Sequence, residues 1–225
     1  MEDIVKNLQR ILQELPPHVK LIAVSKTHPV EKILAVYNAG HKIFGENKVQ
    51  EMVSKYDQLP KDIQWHLIGH LQTNKVKYIV PFVTMIHSVD SEKLMAEIDK
   101  RAKKVNRVID CLLEIHIAEE ESKFGLSFEQ AEELISSRVY RKYPNVNIRG
   151  LMGMATFTEA KDQIRREFRS LKQFFDMLKE KYFADKPDFN ELSMGMSGDY
   201  KIAIEEGSTM VRIGTAIFGR RNYVN

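Results

Sequence analysis

Lys26 is the residue of this chain whose type and position most directly suggest covalent chemistry. It ends the apolar stretch of residues 21–26 (LIAVSK), and Thr27, His28 and Pro29 follow it. We expect a strand there, and alternation along it turns the lysine toward the interior of a closed sheet. Desolvation in such a place favours the neutral amine, which is the form that makes a Schiff base with a carbonyl compound. A solvated lysine at the end of a strand is the alternative interpretation.

Two glycine-rich stretches near the end of the chain have the composition of phosphate-binding turns. The first is SMGMSG at 193–198, which begins with Ser193, and the second is RIGT at 212–215, which ends with Gly214 and Thr215. Glycines let the backbone approach an anion closely, and free amides and hydroxyls donate hydrogen bonds to it. In a parallel α/β barrel the loops after the seventh and eighth strands commonly form a phosphate site. Two ordinary turns between strand and helix are the alternative.

Arg212 narrows the choice of ligand that these residues could bind. It lies on the same face of its predicted strand as Gly214, so it points inward if Gly214 meets a ligand. An inward arginine is costly unless it meets an acceptor. A Schiff-base lysine, a phosphate site and an inward arginine together suit pyridoxal phosphate, with Lys26 forming the imine and Arg212 facing the pyridine nitrogen. Pairing of Arg212 with an internal acid such as Glu114 or Glu191 remains the alternative.

Asn47 and His66 are weaker candidates for contacts with the same ligand. They stand near the ends of the second and third predicted strands, where they could reach the ring or its 3-hydroxyl group. A loop cap at Asn47 and a hydrogen-bonded core group at His66 are equally open interpretations. For His116, beside Glu114, we favour a structural hydrogen bond. The histidines lack metal-binding spacing such as H-E-x-x-H, so no metal site is expected.

Composition indicates a globular protein without an extended charged surface. The chain has 225 residues, 43% hydrophobic and 29% charged, and a formal net charge of +3. Its lysines are interspersed with acids, so nucleic acid is not expected as a partner. The single cysteine, Cys111, lies in an apolar stretch and suggests a reducing, cytoplasmic location. The amphipathic N-terminus is unlike a signal peptide, and no stretch approaches membrane-spanning length.

Eight strand patterns alternate with helix patterns along the chain. The strand patterns are LIAVSK, HKIFGEN, IQWHLIG, TMIHSVD, DCLLEIHI, NIRGLMGM, FNELSMGM and STMVRIG. Before the first of them, residues 2–15 form an amphipathic helix that Pro16 and Pro17 end. Further along, Ser91 should cap a helix over 92–104, and one helix is predicted over 128–141. The connections between strands are too long for hairpins, so the strands should be parallel.

This order predicts a single α/β domain over 1–225, a (β/α)₈ TIM-type barrel with an extra N-terminal helix. An open doubly wound sheet is the alternative, but the first strand is not followed by a G-x-G-x-x-G turn.

Several motifs, in order, resemble the pyridoxal phosphate homeostasis protein family. They are AVSKTHP, FGENKVQE, WHLIGHLQTNK, SKFG, RGLMGM, LSMGMSGDYKIAI and GSTMVRIGTAIFG, and they extend from position 23 to 219. The resemblance implies a barrel like the N-terminal domain of alanine racemase, with the cofactor held as an imine by the lysine that matches Lys26. It also implies phosphate contacts from Ser193, Gly214 and Thr215, and a pyridine-nitrogen contact from Arg212. The departures, Lys48, His28 and His70, leave these positions intact.

Three functions are compatible with such a chain. The first is a protein that binds, buffers and delivers pyridoxal phosphate without robust catalysis, with apo forms of cofactor-dependent enzymes as possible partners. The second is a cofactor-dependent amino-acid racemase or decarboxylase, and the third is a cofactor-free class I aldolase. Alanine racemases take their second catalytic base from a further domain and a partner subunit, and the sequence shows no such domain. An arginine facing the pyridine nitrogen also disfavours carbanion chemistry, so we expect the first function and a mostly monomeric protein.

Overall fold

Strands covered on both faces alternate with helices throughout the described part of the chain. The computed structural model describes residues 1–120 and 124–220. Its strands are short and almost wholly buried, as expected for parallel strands under a layer of helices. Within those residues the strands are β1 (Lys20–Val24), β2 (Ile43–Glu46), β3 (Gln64–Leu67), β4 (Met85–Val89), β5 (Ile109–His116), β6 (Val146–Met154), β7 (Glu191–Met196) and β8 (Met210–Ile213).

The helices occupy the connections between these strands. They are α1 (Glu2–Glu14), α2 (Val30–Asn38), α3 (Val49–Gln58), α4 (Val76–Ile79), α5 (Glu92–Lys104), α6 (Phe128–Ser136), α7 (Lys161–Tyr182), α8 (Tyr200–Glu205) and α9 (Thr215–Phe218), with 3₁₀ turns at Thr73–Lys75 and Val139–Lys142. Among the residues described, no helix combines the length and the apolar content needed to cross a membrane.

The strands close into one barrel. Each pairs in parallel with the next along the chain, and β8 returns to pair with β1, where Lys20 is opposite Met210 and Ile22 is opposite Arg212. This confirms the predicted (β/α)₈ barrel with its extra N-terminal helix and excludes the open doubly wound sheet.

The barrel interior has an apolar layer and a polar layer. The apolar layer is a separate cluster of Ile22, Met85, Leu112, Met152 and Met210. Two residues further along three of those strands, on the same face, stand His87, Glu114 and Arg212, all of them buried. Polar groups are therefore concentrated toward the carboxyl ends of the strands, where barrel proteins place their sites.

Helix α1 braces the two helices that follow β7 and β8. The Asn7 side-chain amide donates to the Ile217 carbonyl in α9 at 3.2 Å. The hydroxyl of Tyr200, at the start of α8, donates to Glu14 at 2.6 Å, and Lys201 lies 3.0 Å from the same carboxylate. The additional helix thus stabilises the predicted phosphate-binding end of the barrel.

Two predicted elements have different ends. The strand pattern of residues 21–26 was expected to include Lys26, but β1 ends at Val24 and Lys26 lies in the turn that follows. The helix predicted over 128–141 ends at Ser136 instead, because Arg138 adopts a left-handed conformation with φ 57°. Hydroxyls of Ser136 and Ser137 bond back to backbone carbonyls there and compete with helix continuation.

The cap at Ser91 is confirmed, since its hydroxyl accepts from the Leu94 amide. Ser122 and Lys123 of the SKFG motif and residues 221–225 at the end of the predicted domain lie outside the described residues.

Candidate functional site

A cavity of about 370 Å³ opens at the carboxyl ends of the strands. It is bordered by the segments that follow β1, β2, β3, β6, β7 and β8. Five of the seven predicted site residues line it, namely Lys26, Asn47, Arg212, Gly214 and Thr215. The other two, His66 and Ser193, are buried beneath it.

Lys26 reaches the cavity from a tight turn. The Ser25 amide still bonds to the Gly45 carbonyl of β2, and the His28 amide then donates to the Ser25 carbonyl at 3.1 Å. Thr27, between them, has φ 67°, and its amide donates to a Glu51 carboxylate oxygen at 2.6 Å. The ring of His28 stacks on Phe218 of α9 at 5.0 Å, which ties this turn to the segment after β8.

A buried ionic network lies directly behind this turn. The Lys55 ammonium donates to the Ser25 carbonyl at 2.8 Å and to Glu46 and Glu51 at 2.7 Å each. Glu46 also accepts from the Ser25 hydroxyl at 2.6 Å. Burial raises the pKa of Glu46 to about 7, while the nearby Lys55 ammonium opposes that rise. Both backbone and side chain of Ser25 are thereby fixed, and Lys26 is the next residue.

Asn47 lies at the cavity because a glycine of the neighbouring loop leaves room for it. A β-carbon at Gly69 would be 2.5 Å from the Asn47 carbonyl oxygen, closer than non-bonded atoms approach. Only glycine therefore fits at position 69, and the loops after β2 and β3 pack directly together.

Backbone amides after β8 converge on a hydroxyl after β7. The amides of Gly214 and Ala216 both donate to Ser197 Oγ, at 3.3 and 3.4 Å. These bonds are long, so the same amides can donate to a stronger acceptor, such as a phosphate oxygen, at the same place. A β-carbon at Gly198 would meet nothing within 4 Å, which shows that the turn is open. Ser197 is a site residue that the sequence-based selection missed, although it belongs to the same SMGMSG stretch.

Arg212 is buried, and its hydrogen-bond partners are not acids. Its guanidinium donates to Ser193 Oγ at 2.5 Å and to the Gly153 carbonyl at 3.1 Å. Burial lowers the pKa of Arg212 to about 10, so the group remains protonated at neutral pH. Glu191, one of the two acids considered as its partner, instead bonds to Lys20 and to the Thr209 hydroxyl.

Two buried histidines continue this arrangement as a chain of hydrogen bonds. His87 Nδ1 lies 2.9 Å from Ser193 Oγ, and His87 Nε2 lies 2.9 Å from His66 Nδ1. The guanidinium only donates, so the Ser193 hydroxyl accepts from it. One assignment consistent with all three contacts has the Ser193 hydroxyl donating to His87 Nδ1, and His87 Nε2–H donating to His66 Nδ1.

Burial lowers the pKa of His66 to about 3 and that of His87 well below its usual range, so both rings are neutral. His66 is a hydrogen-bonded core group, and a contact of its ring with the ligand stays a prediction. Ser193 supports Arg212 from below and does not line the cavity. His87 was missed at the sequence level, although its alternation with Met85 in TMIHSVD placed it on the interior face.

The described residues offer no alternative centre for metal or thiol chemistry. Among them, no group of three or more His, Cys, Asp or Glu side chains could hold a metal ion. Cys111 is a free, buried thiol whose pKa is raised by burial, which suits a structural residue.

The chain is similar to proteins that bind or are named for pyridoxal phosphate. The family model described as "Alanine racemase, N-terminal domain" matches residues 1–222. The pyridoxal phosphate homeostasis protein of Aquifex aeolicus (strain VF5) is 46% identical over 205 residues, which are 91% of this chain and 88% of that protein.

Solved structures show the same barrel. PipY from Synechococcus elongatus PCC7942, solved with PLP bound, is 35% identical with a TM-score of 0.87, over 96% of this chain and 100% of that one. An alanine racemase from Clostridium difficile 630, 14% identical, shares the fold with a TM-score of 0.79, over 100% of this chain and 58% of that one. The chain belongs to the pyridoxal phosphate homeostasis protein family, within the larger family of alanine racemase N-terminal domains.

Proposed function

We propose that this protein binds pyridoxal 5'-phosphate through Lys26 and serves in intracellular homeostasis and delivery of the cofactor, without robust catalysis. The observation that carries the proposal is that Lys26, the buried Arg212 guanidinium and the convergent amides after β8 meet at one cavity. Two further findings support it. A relative with the same barrel was solved with PLP bound, and a curated relative is named for pyridoxal phosphate homeostasis.

The residues present fit the chemical groups of this cofactor. Lys26 supplies the amine that would hold the aldehyde as an imine, and the turn and the Lys55 network fix its position. The amides of Gly214 and Ala216, with the hydroxyls of Thr215 and Ser197, supply donors for the phosphate. We place Ser197 in the phosphate-binding role that the family resemblance implied for Ser193. Asn47 borders the same cavity and remains our candidate for a ring contact.

Arg212 would face the pyridine nitrogen as a permanent hydrogen-bond donor. A donor at that atom keeps the nitrogen unprotonated, because the lone pair that would take a proton accepts from the guanidinium. When bound, the cofactor supplies an electron sink for carbanions, and an unprotonated nitrogen weakens that sink. We infer that Ser193 and the neutral histidine chain hold Arg212 in this role.

The lining of the cavity also favours a carrier over a racemase or decarboxylase. Racemisation needs proton-transferring groups on both faces of the substrate. Among the described residues that line the cavity, the titratable side chains are Lys26, Asp199 and Arg212. Asp199 accepts from the Met196 amide at 2.6 Å and thus closes its own turn. Lys26 is left as the group suited to proton transfer. The proposal extends to apo-enzymes as recipients, a mostly monomeric state and a cytoplasmic location, the last supported by the single buried cysteine.

Purified protein loaded with pyridoxal phosphate tests the choice between carrier and enzyme. We expect no racemisation or decarboxylation of amino acids at ordinary enzyme rates of about 1 per second. We also expect the loaded protein to reactivate an apo-enzyme, whereas Lys26→Ala, carrying no imine, should not. Lys48→Ala, which alters a nearby lysine outside the cavity, is the control. Turnover at enzyme rates that Lys26→Ala abolishes would establish the racemase or decarboxylase alternative.

A further inference from the structure

A second cavity of about 250 Å³ adjoins the candidate cofactor cavity. It lies beside the end of β5, and the two cavities share the side chains of Met154, Phe157 and Met196 as a common wall. Lys26, Ser197, Gly214 and Thr215 do not border it. The function proposed above leaves this second cavity without a role.

The inner end of this second cavity holds a buried carboxylate that lacks a donor. Glu114 is 6% exposed, and within the described structure its Oε2 atom is buried without a hydrogen-bond partner. Burial, together with the nearby Asp90 charge, raises the pKa of Glu114 to about 7. A buried carboxylate without a donor costs free energy that a bound cation with N–H groups would recover.

The remaining walls indicate what kind of cation fits. Glu120 and the half-buried His116 border the cavity, and Phe124 and Phe157 form apolar sides, exposed by 42% and 96%. No lysine or arginine is found among the described residues of the lining. The described acids and histidines do not form a three-ligand group, which argues against a metal ion.

From this geometry we propose that the second cavity binds a small primary amine, with its ammonium group on Glu114 and its apolar chain between Phe124 and Phe157. A primary ammonium brings three N–H donors, which matches the unpartnered carboxylate, and an alkyl chain matches the aromatic sides. A free amino acid fits less well, because it carries a carboxylate that the negative charge of Glu120 would repel. The shared wall sets the bound amine beside the cavity of Lys26.

Calorimetric titration of the cofactor-free full chain with n-butylammonium tests the proposal. Cofactor-free protein is needed because amines react with the cofactor's aldehyde. We expect saturable binding of n-butylammonium and none of n-butanol or butyrate, which have a comparable chain but lack the cation. Methylammonium should bind more weakly, because it cannot reach the aromatic sides. Absence of saturable butylammonium binding, or equal binding of butanol, would overturn the proposal.

Two matched variants assign the binding to the buried acid. Glu114→Gln should weaken butylammonium at least about tenfold, since a hydrogen bond to a charged group is lost. Glu120→Gln, at the exposed rim, should change it by less than about threefold, because exposed charges contribute little. Equal weakening by both variants would contradict the role of Glu114. If Glu114→Gln does not fold, the comparison of methylammonium, butylammonium and butanol on the unaltered chain decides the question.

Amine binding and cofactor uptake can be tested separately. Glu114 does not line the cofactor cavity, so Glu114→Gln should take up pyridoxal phosphate like the unaltered chain. Loss of amine binding with retained cofactor uptake supports the second site. Amine binding by a chain that takes up no cofactor would refute the cofactor proposal and leave the amine site standing.

Discussion

Replacing Lys55 with methionine should destabilise the protein strongly, although Lys55 lies outside the cofactor cavity. Its side chain is 7% exposed and holds two carboxylates and the Ser25 carbonyl at 2.7 to 2.8 Å. Glu46, one of those carboxylates, is fully buried and would lose the cation that compensates its charge. Removal of one partner from a buried ion pair typically costs about 3–5 kcal/mol. We expect a loss of that size in the free energy of unfolding.

Urea unfolding at pH 8 measures this loss, and Lys42→Met is the matched control. Lys42 also pairs with a carboxylate, Asp62, but both side chains are 49% exposed, so its replacement should change stability little. The deficit of Lys55→Met should shrink as the pH falls toward 5. Without Lys55 the raised pKa of Glu46 rises further, and the carboxyl is protonated and neutral at the lower pH. Equal effects of the two variants, or a deficit independent of pH, would refute the reasoning.

Three further predictions concern the support of the site. Ser193→Ala should weaken pyridoxal phosphate binding about tenfold in a titration, because Arg212 loses its hydroxyl acceptor. Ser88→Ala is the control and should not weaken it, since the buried Ser88 hydroxyl has no hydrogen-bond partner among the described residues. Gly69→Ala should lower the melting temperature, since its β-carbon collides with backbone; an unchanged value would contradict the close packing of these loops. The raised pKa of Glu114, about 7 against 4.5, means that its stabilisation is present below pH 4.5 and is lost as the pH rises through 7. Glu114→Gln should remove about 3 kcal/mol of the pH-dependent part of the free energy of unfolding, measured in amine-free buffer. Asp90, Arg212 and His116 are the neighbouring charged or titratable groups and are unchanged in this variant. A variant whose stability has the same pH dependence as that of the unaltered chain would contradict the raised pKa of Glu114.

The barrel could be predicted from the sequence because each strand and helix is recognisable from the pattern of apolar residues within its own segment. Apolar segments such as TMIHSVD alternate with amphipathic helices, and eight repetitions of that order leave few alternatives to a closed parallel sheet. The ends of elements were harder to predict, since they depend on single backbone conformations. Thr27 turns left-handed directly after Lys26, and Arg138 does so after α6, and neither is a glycine that would have marked the position. The extent of the domain over 1–225 stays a prediction.

The site was predicted in part, and the depth of each residue in the barrel accounts for the difference. Lys26, Gly214 and Thr215 follow the last residues of their strands, so they reach the mouth of the barrel whatever the register. Ser193 lies inside β7, where the register against β8 shifts between Ser193 and Met196. The hydroxyl at the mouth is therefore that of Ser197, four residues later. Strand alternation gives the face of a residue but not its height along the barrel axis.

The chain of hydrogen bonds below Arg212 could not be predicted from the sequence either, because it too depends on the height of each residue along the barrel axis. His66, His87 and Ser193 come from three different strands, and their contacts depend on how the strands are staggered around the closed barrel.

Borohydride reduction of the cofactor-loaded protein, followed by peptide mapping, tests the central claim most directly. Reduction converts an imine between the cofactor and a lysine into a stable secondary amine, so the modified lysine can be identified. We expect a single modified peptide that carries the cofactor on Lys26, with Lys48 and Lys55 unmodified and no modification in Lys26→Ala. Cofactor fixed to another lysine, or a protein that takes up none, would contradict it.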